Sequence, residues 1–352
     1  MILPTLALAL WARAETIAFP EFTVTGAKSY LEEQSKEFAA KAGTDADTLY
    51  LLARLQNRLG DQTQAAQLAR QACDRDPKRP DVYSFLGRIF LSEGRLEEAA
   101  GAFRKALELN PRAAGDDRRL GMILDQLGDH EGARKAFLAG LELTPNDALG
   151  QLMLGRSLLD HGEAKEAVDH LEKACQLDGT SINAFYVLAQ AQNQSGDKAA
   201  AQRTLQTFQR LRVHDRAELM EQDAVYNNEK EMRQIAVDFH LDAASFFMRQ
   251  RRIDLAEAHL KQATVVAPDD AQAYEVLARV YLTSHRELPG ALALARRCAT
   301  LQPTAAHYDL LADVCEVNGL DDEARQAEKE ARRLDPGNSI YLEHQQRLSQ
   351  KP

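Results

Sequence analysis

The sequence predicts an all-α protein built as a solenoid of stacked helix pairs, and three observations carry that prediction. The first is a near repetition: LGRIFLSEGRLEEAAGAFRKALELNP runs from Leu86 to Pro111, and LGMILDQLGDHEGARKAFLAGLELTP runs from Leu120 to Pro145. The second is a set of small residues at fixed points of a frame about 34 residues long. Ala65, Ala99, Ala133, Ala167, Ala201, Ala256, Ala291 and Ala324 hold its twentieth position, and Ala53, Gly87, Gly121, Gly155, Ala189, Ala244, Ala278 and Ala312 its eighth. The third is composition: only 6% of the 352 residues are aromatic, while alanine and leucine recur throughout, which favours helix over strand.

Each frame reads as two amphipathic helices. In the second frame one lies around Leu86–Leu91, a turn follows at Ser92–Arg95, and the other runs from Leu96 to Leu109. Small residues at the eighth and twentieth positions let the two backbones approach, and Leu86, Phe90 and Phe103 fill the space around them. Gly60, Gly94, Gly128, Gly162 and Gly196 mark the turns. Pro77, Pro111, Pro145, Pro268, Pro303 and Pro336 stop the second helices, since proline cannot continue them. Departures are local: Gly179 replaces a proline, Arg251 a turn glycine, and Asp117 and Gln151 the bulky residue of the fourth position.

The spacing breaks once, between Ala201 and Ala256, where HDRAELMEQDAVYNNEKEMRQ is in excess. Lacking proline and glycine, this stretch reads as helix extensions joined near Asn227 and Asn228. The expected layout is therefore a leader at 1–14, an extension and capping helix at 15–45, and five repeats at 46–213. A helical insert follows at 214–236, then three repeats at 237–338 and a capping helix at 339–352. Tyr30, Leu31 and Phe38 share one helical stripe before the first frame, and Ile340, Tyr341, His344 and Leu348 share one after the last. Each stripe is expected to cover the apolar face of a terminal repeat.

Residues 1–14, MILPTLALALWARA, are apolar and close in Ala12-Arg13-Ala14, a small-x-small pattern suited to signal peptidase, although no basic residue follows Met1. The run is too short to span a bilayer, and no lipobox cysteine follows it. Cleavage after Ala14 and a secreted or periplasmic location are the expectation, with a cytoplasmic protein carrying an apolar leader as the alternative. The net charge of −10 excludes a general nucleic-acid binder, because counterion-release binding needs a basic surface. No GxSxG, HExxH, Walker or GxGxxG pattern occurs, so a non-catalytic protein without a cofactor is expected. No metal site is expected either: Asp238 and Asp242 share a helical face that His240 leaves, and His240 stands at a bulky packing position. Cys73, Cys175, Cys298 and Cys315 show no zinc spacing; Cys298 and Cys315 fall on adjacent repeats, and either buried thiols or a disulfide fits that placement.

With these residues in view, the chain resembles the tetratricopeptide repeat family over roughly residues 46–338. The resemblance implies a right-handed superhelix of about eight helix-turn-helix repeats, a concave groove lined by first helices, and an extended peptide or protein as ligand. It implies that the groove of the first five repeats is lined by Arg54, Asn57, Arg58, Phe85, Arg88, Arg118, Arg119, Arg156, Tyr186, Gln190 and Asn193, a basic and aromatic set. The last three repeats place Asp238, Asp242, Glu275, Asp309, Asp313 and Glu316 at the corresponding points, with Arg279 against the trend. Arginine rows suit carboxylates, which they bind through paired hydrogen bonds, so an acidic or carboxylate-bearing segment is the expected partner. The lysine and asparagine clamp by which some relatives hold a terminal carboxylate is missing, with Tyr50, Arg54 and Phe85 standing where the first window needs it. A regulatory or substrate-recognition subunit of a separate enzyme, and a self-assembling structural solenoid, are the competing readings.

Overall fold

The computed structural model describes residues 24–221, 228–341 and 343–344, so the expected leader at 1–14 lies outside the described residues. Every helix and strand assignment among the described residues is helical. By their mutual contacts the helices form two units. One, Thr44–Tyr226, holds α2 (Ala46–Arg58), α3 (Gln62–Arg75), α4 (Pro80–Ser92), α5 (Leu96–Leu109) and α6 (Ala114–Gln126). It continues with α7 (His130–Leu143), α8 (Ala148–Asp160), α9 (Ala164–Leu177), α10 (Ile182–Ser195) and α11 (Lys198–Glu221). The other joins α1 (Val24–Ala42) to α12 (Asn228–Arg249), α13 (Ile253–Val266), α14 (Ala271–Ser284), α15 (Leu288–Leu301), α16 (Ala305–Val317) and α17 (Asp321–Leu334). Within each unit successive helices pair, and each pair packs on the next.

The small residues explain the pairing. A Cβ added at Gly87 would lie 2.8 Å from the Phe103 ring, one at Gly121 2.7 Å from the Phe137 ring, and one at Gly155 2.6 Å from Leu171. The neighbouring second helix therefore leaves no room for a branched side chain on the first. Ala99, Ala133 and Ala167 on the facing helices are wholly buried. At the turns, Gly128 adopts φ 83° and the N–H of Gly128 reaches the Asp125 carbonyl. Arg251 takes φ 59° at the equivalent turn, a conformation that disfavours a residue with a Cβ.

The described parts of the 214–236 insert extend two helices: α11 runs on to Glu221 and α12 starts at Asn228, with 222–227 outside the described residues.

The cap before the first frame covers a different repeat from the expected one. Helix α1 packs on α12, the opening helix of the second unit. Leu31 and Phe38 are fully buried, and the Phe38 ring stands edge-on to Phe239, Phe246 and Phe247 at 5.4–5.9 Å. Burial of these rings against one another stabilises the docking of α1 on α12. A hydrogen-bond chain fixes the register. Tyr30 donates its hydroxyl to Gln262 Oε1 at 3.3 Å and accepts from His240 Nε2 at 2.8 Å, which leaves His240 Nδ1 to accept from His259 Nδ1 at 3.0 Å. His240 is thus the packed histidine the sequence implied, wholly buried.

After the last frame, Tyr341 is buried and His344 bonds Asp309 at 2.8 Å. Ile340 departs from the expected stripe and is 53% exposed, and its N–H is accepted by the Asn338 side chain; Leu348 lies outside the described residues. Cys298 and Cys315 are separate buried thiols rather than a disulfide, and burial pushes both up to about 12. No helix among the described residues is long and apolar enough to cross a membrane.

Two outcomes test this packing. Ala99→Leu should destabilise the protein by about 1–3 kcal/mol through overpacking, read as a lowered urea midpoint; an unchanged midpoint would place Ala99 outside a close contact. Burial lowers both His240 and His259 below the ordinary histidine value of 6.5. Their neutral forms therefore contribute docking stability that is complete above pH 6.5 and is lost as pH falls through the lowered values. Hydrogen exchange of the α1 amides, corrected for intrinsic rate, should show protection falling on acidification while α4 and α5 stay protected. Constant α1 protection down to pH 4 would contradict the chain of bonds.

Candidate functional site

The predicted groove residues lie on the first helices of the Thr44–Tyr226 unit: α2, α4, α6, α8 and α10. Local physics sets their presentation, since each of these helices turns its small and leucine positions inward and leaves the intervening positions outside. Arg54, Arg58, Arg88, Tyr186, Gln190 and Asn193 are exposed; Asn57, Arg118, Arg119 and Arg156 are half-buried.

Phe85 is a correction. The sequence placed its ring in the groove, yet it is 4% exposed. It packs edge-on to Tyr50, centroids 5.5 Å apart, because the shallow space beside α2 accepts a ring. Tyr50 itself is half-buried, and arginine guanidinium groups lie over its ring and over that of Phe85. The guanidinium of Arg54 lies 6.0 Å and that of Arg79 5.7 Å from the Tyr50 centroid, and Arg88 lies 5.7 Å from that of Phe85. Burial raises the Tyr50 hydroxyl above its ordinary pKa, while Arg54, Arg88 and Arg79 pull it back, so all three cations act on one hydroxyl.

The arginines differ in what they already hold. Arg79 is committed to Asp47 and Asp81. Arg118 is bound to Asp147, and Arg119 donates to the Gly115 carbonyl at 2.9 Å and lies 3.5 Å from Asp116. Arg156 donates to Asn183 Oδ1 at 2.6 Å, reaching from α8 to α10. Arg88 meets no carboxylate within ion-pair distance among the described residues; it touches the Phe85 ring face. Burial lowers Arg119 below its ordinary value; Asp116 opposes that shift, and the repulsion of Arg88 and Arg118 adds to it, so these cations share a field. The structure therefore brings Arg54, Arg88, Arg118 and Arg119 into electrostatic reach of common groups. Tyr186 forms a separate aromatic surface with Phe208, centroids 5.4 Å apart, on which Arg212 also lies.

The corresponding acidic set in the second unit is largely engaged. Glu275 pairs with Arg279 at 3.0 Å and lies 3.4 Å from His307, Asp309 holds His344, and Asp238 accepts from Gln234 at 2.9 Å.

The sequence marked Asp117 only as a local departure, and it did not single out the Tyr50 ring beneath the arginines, the Phe208 ring beside Tyr186 or Asp116 as a buried acid. Asp117 stands at the fourth position of its frame, where Leu49, Tyr83, Phe185, Tyr274 and Tyr308 stand in others, and that mismatch was the available signal. Asp116 accepts a hydrogen bond from Ser84 Oγ. Burial first, and Asp116 second, push the Asp117 carboxyl up to about 6.

Family models of the tetratricopeptide repeat match residues 50–117, 118–182 and 241–306, with a further model of the same repeat at 183–207. The chain belongs to the tetratricopeptide repeat family. No curated protein matches it. Among solved structures it is similar to a crystal structure of MamA protein, with 18% identity, 52% of this chain and 98% of that one covered, and a TM-score of 0.46. It is similar also to YrrB, titled a TPR protein with an unusual peptide-binding site, with 20% identity, 50% and 91% covered, and a TM-score of 0.46. A tetratricopeptide repeat protein from Parabacteroides merdae aligns over 90% of this chain and 99% of its own at 15% identity and a TM-score of 0.40.

The raised pKa of Asp117 has a measurable sign. At neutral pH its ionised form is penalised in the folded state, and the penalty vanishes as pH falls below the unfolded value of 3.8, so this group favours the fold in acid. Asp117→Asn should therefore raise stability at pH 7 by about 1–2 kcal/mol, and the gain should shrink to nothing as pH falls to about 3. Urea titrations at the two pH values measure it; an equal effect at both, or a loss at pH 7, would contradict the assignment.

Proposed function

We propose that this protein is a non-catalytic scaffold whose Thr44–Tyr226 unit binds an extended acidic protein segment along its first helices. The observation that supports this reading most is the contrast among the arginines. Arg79, Arg118 and Arg119 already have carboxylates, whereas Arg88 is held over the Tyr50–Phe85 pair beside Arg54 with no carboxylate among the described residues. Like charges gathered on a half-buried aromatic floor repel, and an incoming carboxylate relieves that repulsion while its neighbouring apolar side chains cover the rings. Arg156, Gln190, Asn193 and Tyr186 extend the surface along α8 and α10 with side chains suited to an extended backbone. Arg58 and Asn57 border it on α2. Family membership supports a protein or peptide as the ligand class, and the lack of nucleotide, nucleophile and metalloprotease motifs in the sequence supports a role without chemistry of its own.

We further place the protein outside the cytoplasm, on the strength of the apolar run closing in Ala12-Arg13-Ala14. Mass spectrometry of the native protein should find a chain beginning at Glu15; only intact Met1 protein would overturn this location.

The binding test uses a random peptide library panned on the full chain, with the enriched peptides labelled and titrated by fluorescence anisotropy. Enriched sequences should carry Asp or Glu beside apolar residues. Arg88→Ala should weaken them by about 1–3 kcal/mol, and raising salt should weaken wild type further. Asp313→Ala should leave affinity unchanged. Equal affinity in all three proteins without salt dependence would mean that the arginines are merely solvated.

A further inference from the structure

Away from the arginine surface, three side chains from two successive repeats converge at one edge of the stack. Asp125 lies in the last turn of α6, His130 opens α7, and His161 caps the C-terminus of α8. One donor atom from each lies within 4.8 Å of the others. His130 Nδ1 is 3.2 Å from Asp125 Oδ1, and the two imidazole centroids are only 3.4 Å apart. Both histidines are exposed and Asp125 is half-buried, so the cluster opens to solvent on one side.

What sets this cluster apart from a surface ion pair is the group behind it. Ser157 is 5% exposed and serves two of the three residues. Its hydroxyl donates to Asp125 Oδ1 at 2.9 Å, and its carbonyl oxygen accepts from His161 Nδ1 at 2.6 Å. The second bond puts the His161 proton on Nδ1, which leaves Nε2 as a lone-pair donor. Metal-ligating histidines characteristically give their other N–H to a carbonyl or carboxylate, and ligating carboxylates are themselves hydrogen-bonded.

We propose that Asp125, His130 and His161 form a binding site for a divalent transition metal of the zinc class, with three protein ligands and an open position toward solvent. Two imidazoles and a carboxylate suit zinc, cobalt or nickel rather than magnesium or calcium, which take oxygen donors. Tetrahedral zinc with bonds of about 2.0–2.2 Å needs its donors a little over 3 Å apart. The donors now stand within 4.8 Å of one another, so binding would draw these side chains closer together, His130 being exposed and His161 held at Nδ1 by the Ser157 carbonyl. The bound ion ties α6 and α7 of one repeat to α8 of the next, and its open position accepts water or a donor atom from a bound partner.

The experiment titrates the full chain, free of any histidine tag, with cobalt(II) followed by absorption and with zinc followed by calorimetry. Wild type should bind one equivalent with the intense visible bands of tetrahedral cobalt. His130→Ala and His161→Ala, both exposed positions, should each lose affinity by more than about tenfold, and Ser157→Ala by about tenfold, the scale of outer-shell losses. His344→Ala, beside the other carboxylate and histidine cluster at Asp309 and Glu328, should bind as wild type does. Absence of saturable binding would overturn the proposal. So would binding that survives in the His130→Ala, His161→Ala double variant, or that disappears in His344→Ala.

Discussion

The close approach of paired helices at small residues is the constraint on which the rest of this structure depends. Gly87, Gly121 and Gly155 meet Phe103, Phe137 and Leu171 so nearly that no Cβ fits without displacement. This contact fixes the rotation of each first helix against its partner, and rotation decides which side chains face the outer surface. Arg54, Arg88 and Arg156 fall on that surface because they lie one residue beyond the small position of their frames. The presentation of this surface is thus set by packing several ångströms away, and its precision comes from a dense interior that has few alternatives.

Charge on that surface is distributed unequally. Arg118 pairs with Asp147 at the start of α8 and so braces a junction between repeats, whereas Arg119 spends its attraction on Asp116 and the Gly115 carbonyl within α6. Arg88 braces nothing of the kind and rests on an aromatic ring. The neutralised arginines still shape the field around it, as the mutual repulsion of Arg88, Arg118 and Arg119 shows. The histidines divide in a similar way between buried and exposed. His240 and His259 are buried links in a bond chain that docks α1, while His130 and His161 stand exposed against a buried serine.

The repeat was legible because its signal is periodic: alanine at the twentieth position and a small residue at the eighth recur whatever lies between them. Local departures were legible too: Asp117 stood out at a bulky position, although its burial as an acid emerges only from the packing. What escaped notice depends on contacts between segments distant in sequence. The covering of α12 by α1 joins Tyr30 to His240 across 210 positions, and nothing in the stripe of Tyr30, Leu31 and Phe38 specifies which repeat it will cover. Phe85 counted as a groove residue by its frame position, but Tyr50 on the preceding first helix encloses it. Asp125 and His130 sit either side of a turn, with His161 a full repeat later, so no compact ligand motif announces them.

Ligand binding on the first helices of the Thr44–Tyr226 unit would leave a footprint in their amide exchange. Hydrogen exchange of the full chain, free and saturated with a library-selected acidic peptide, addresses it most directly. Added protection should appear in α2, α4 and α6 and continue into α8, with the second helices α3, α5 and α7 little changed. Protection confined to the second helices, or to α12–α17, would contradict it.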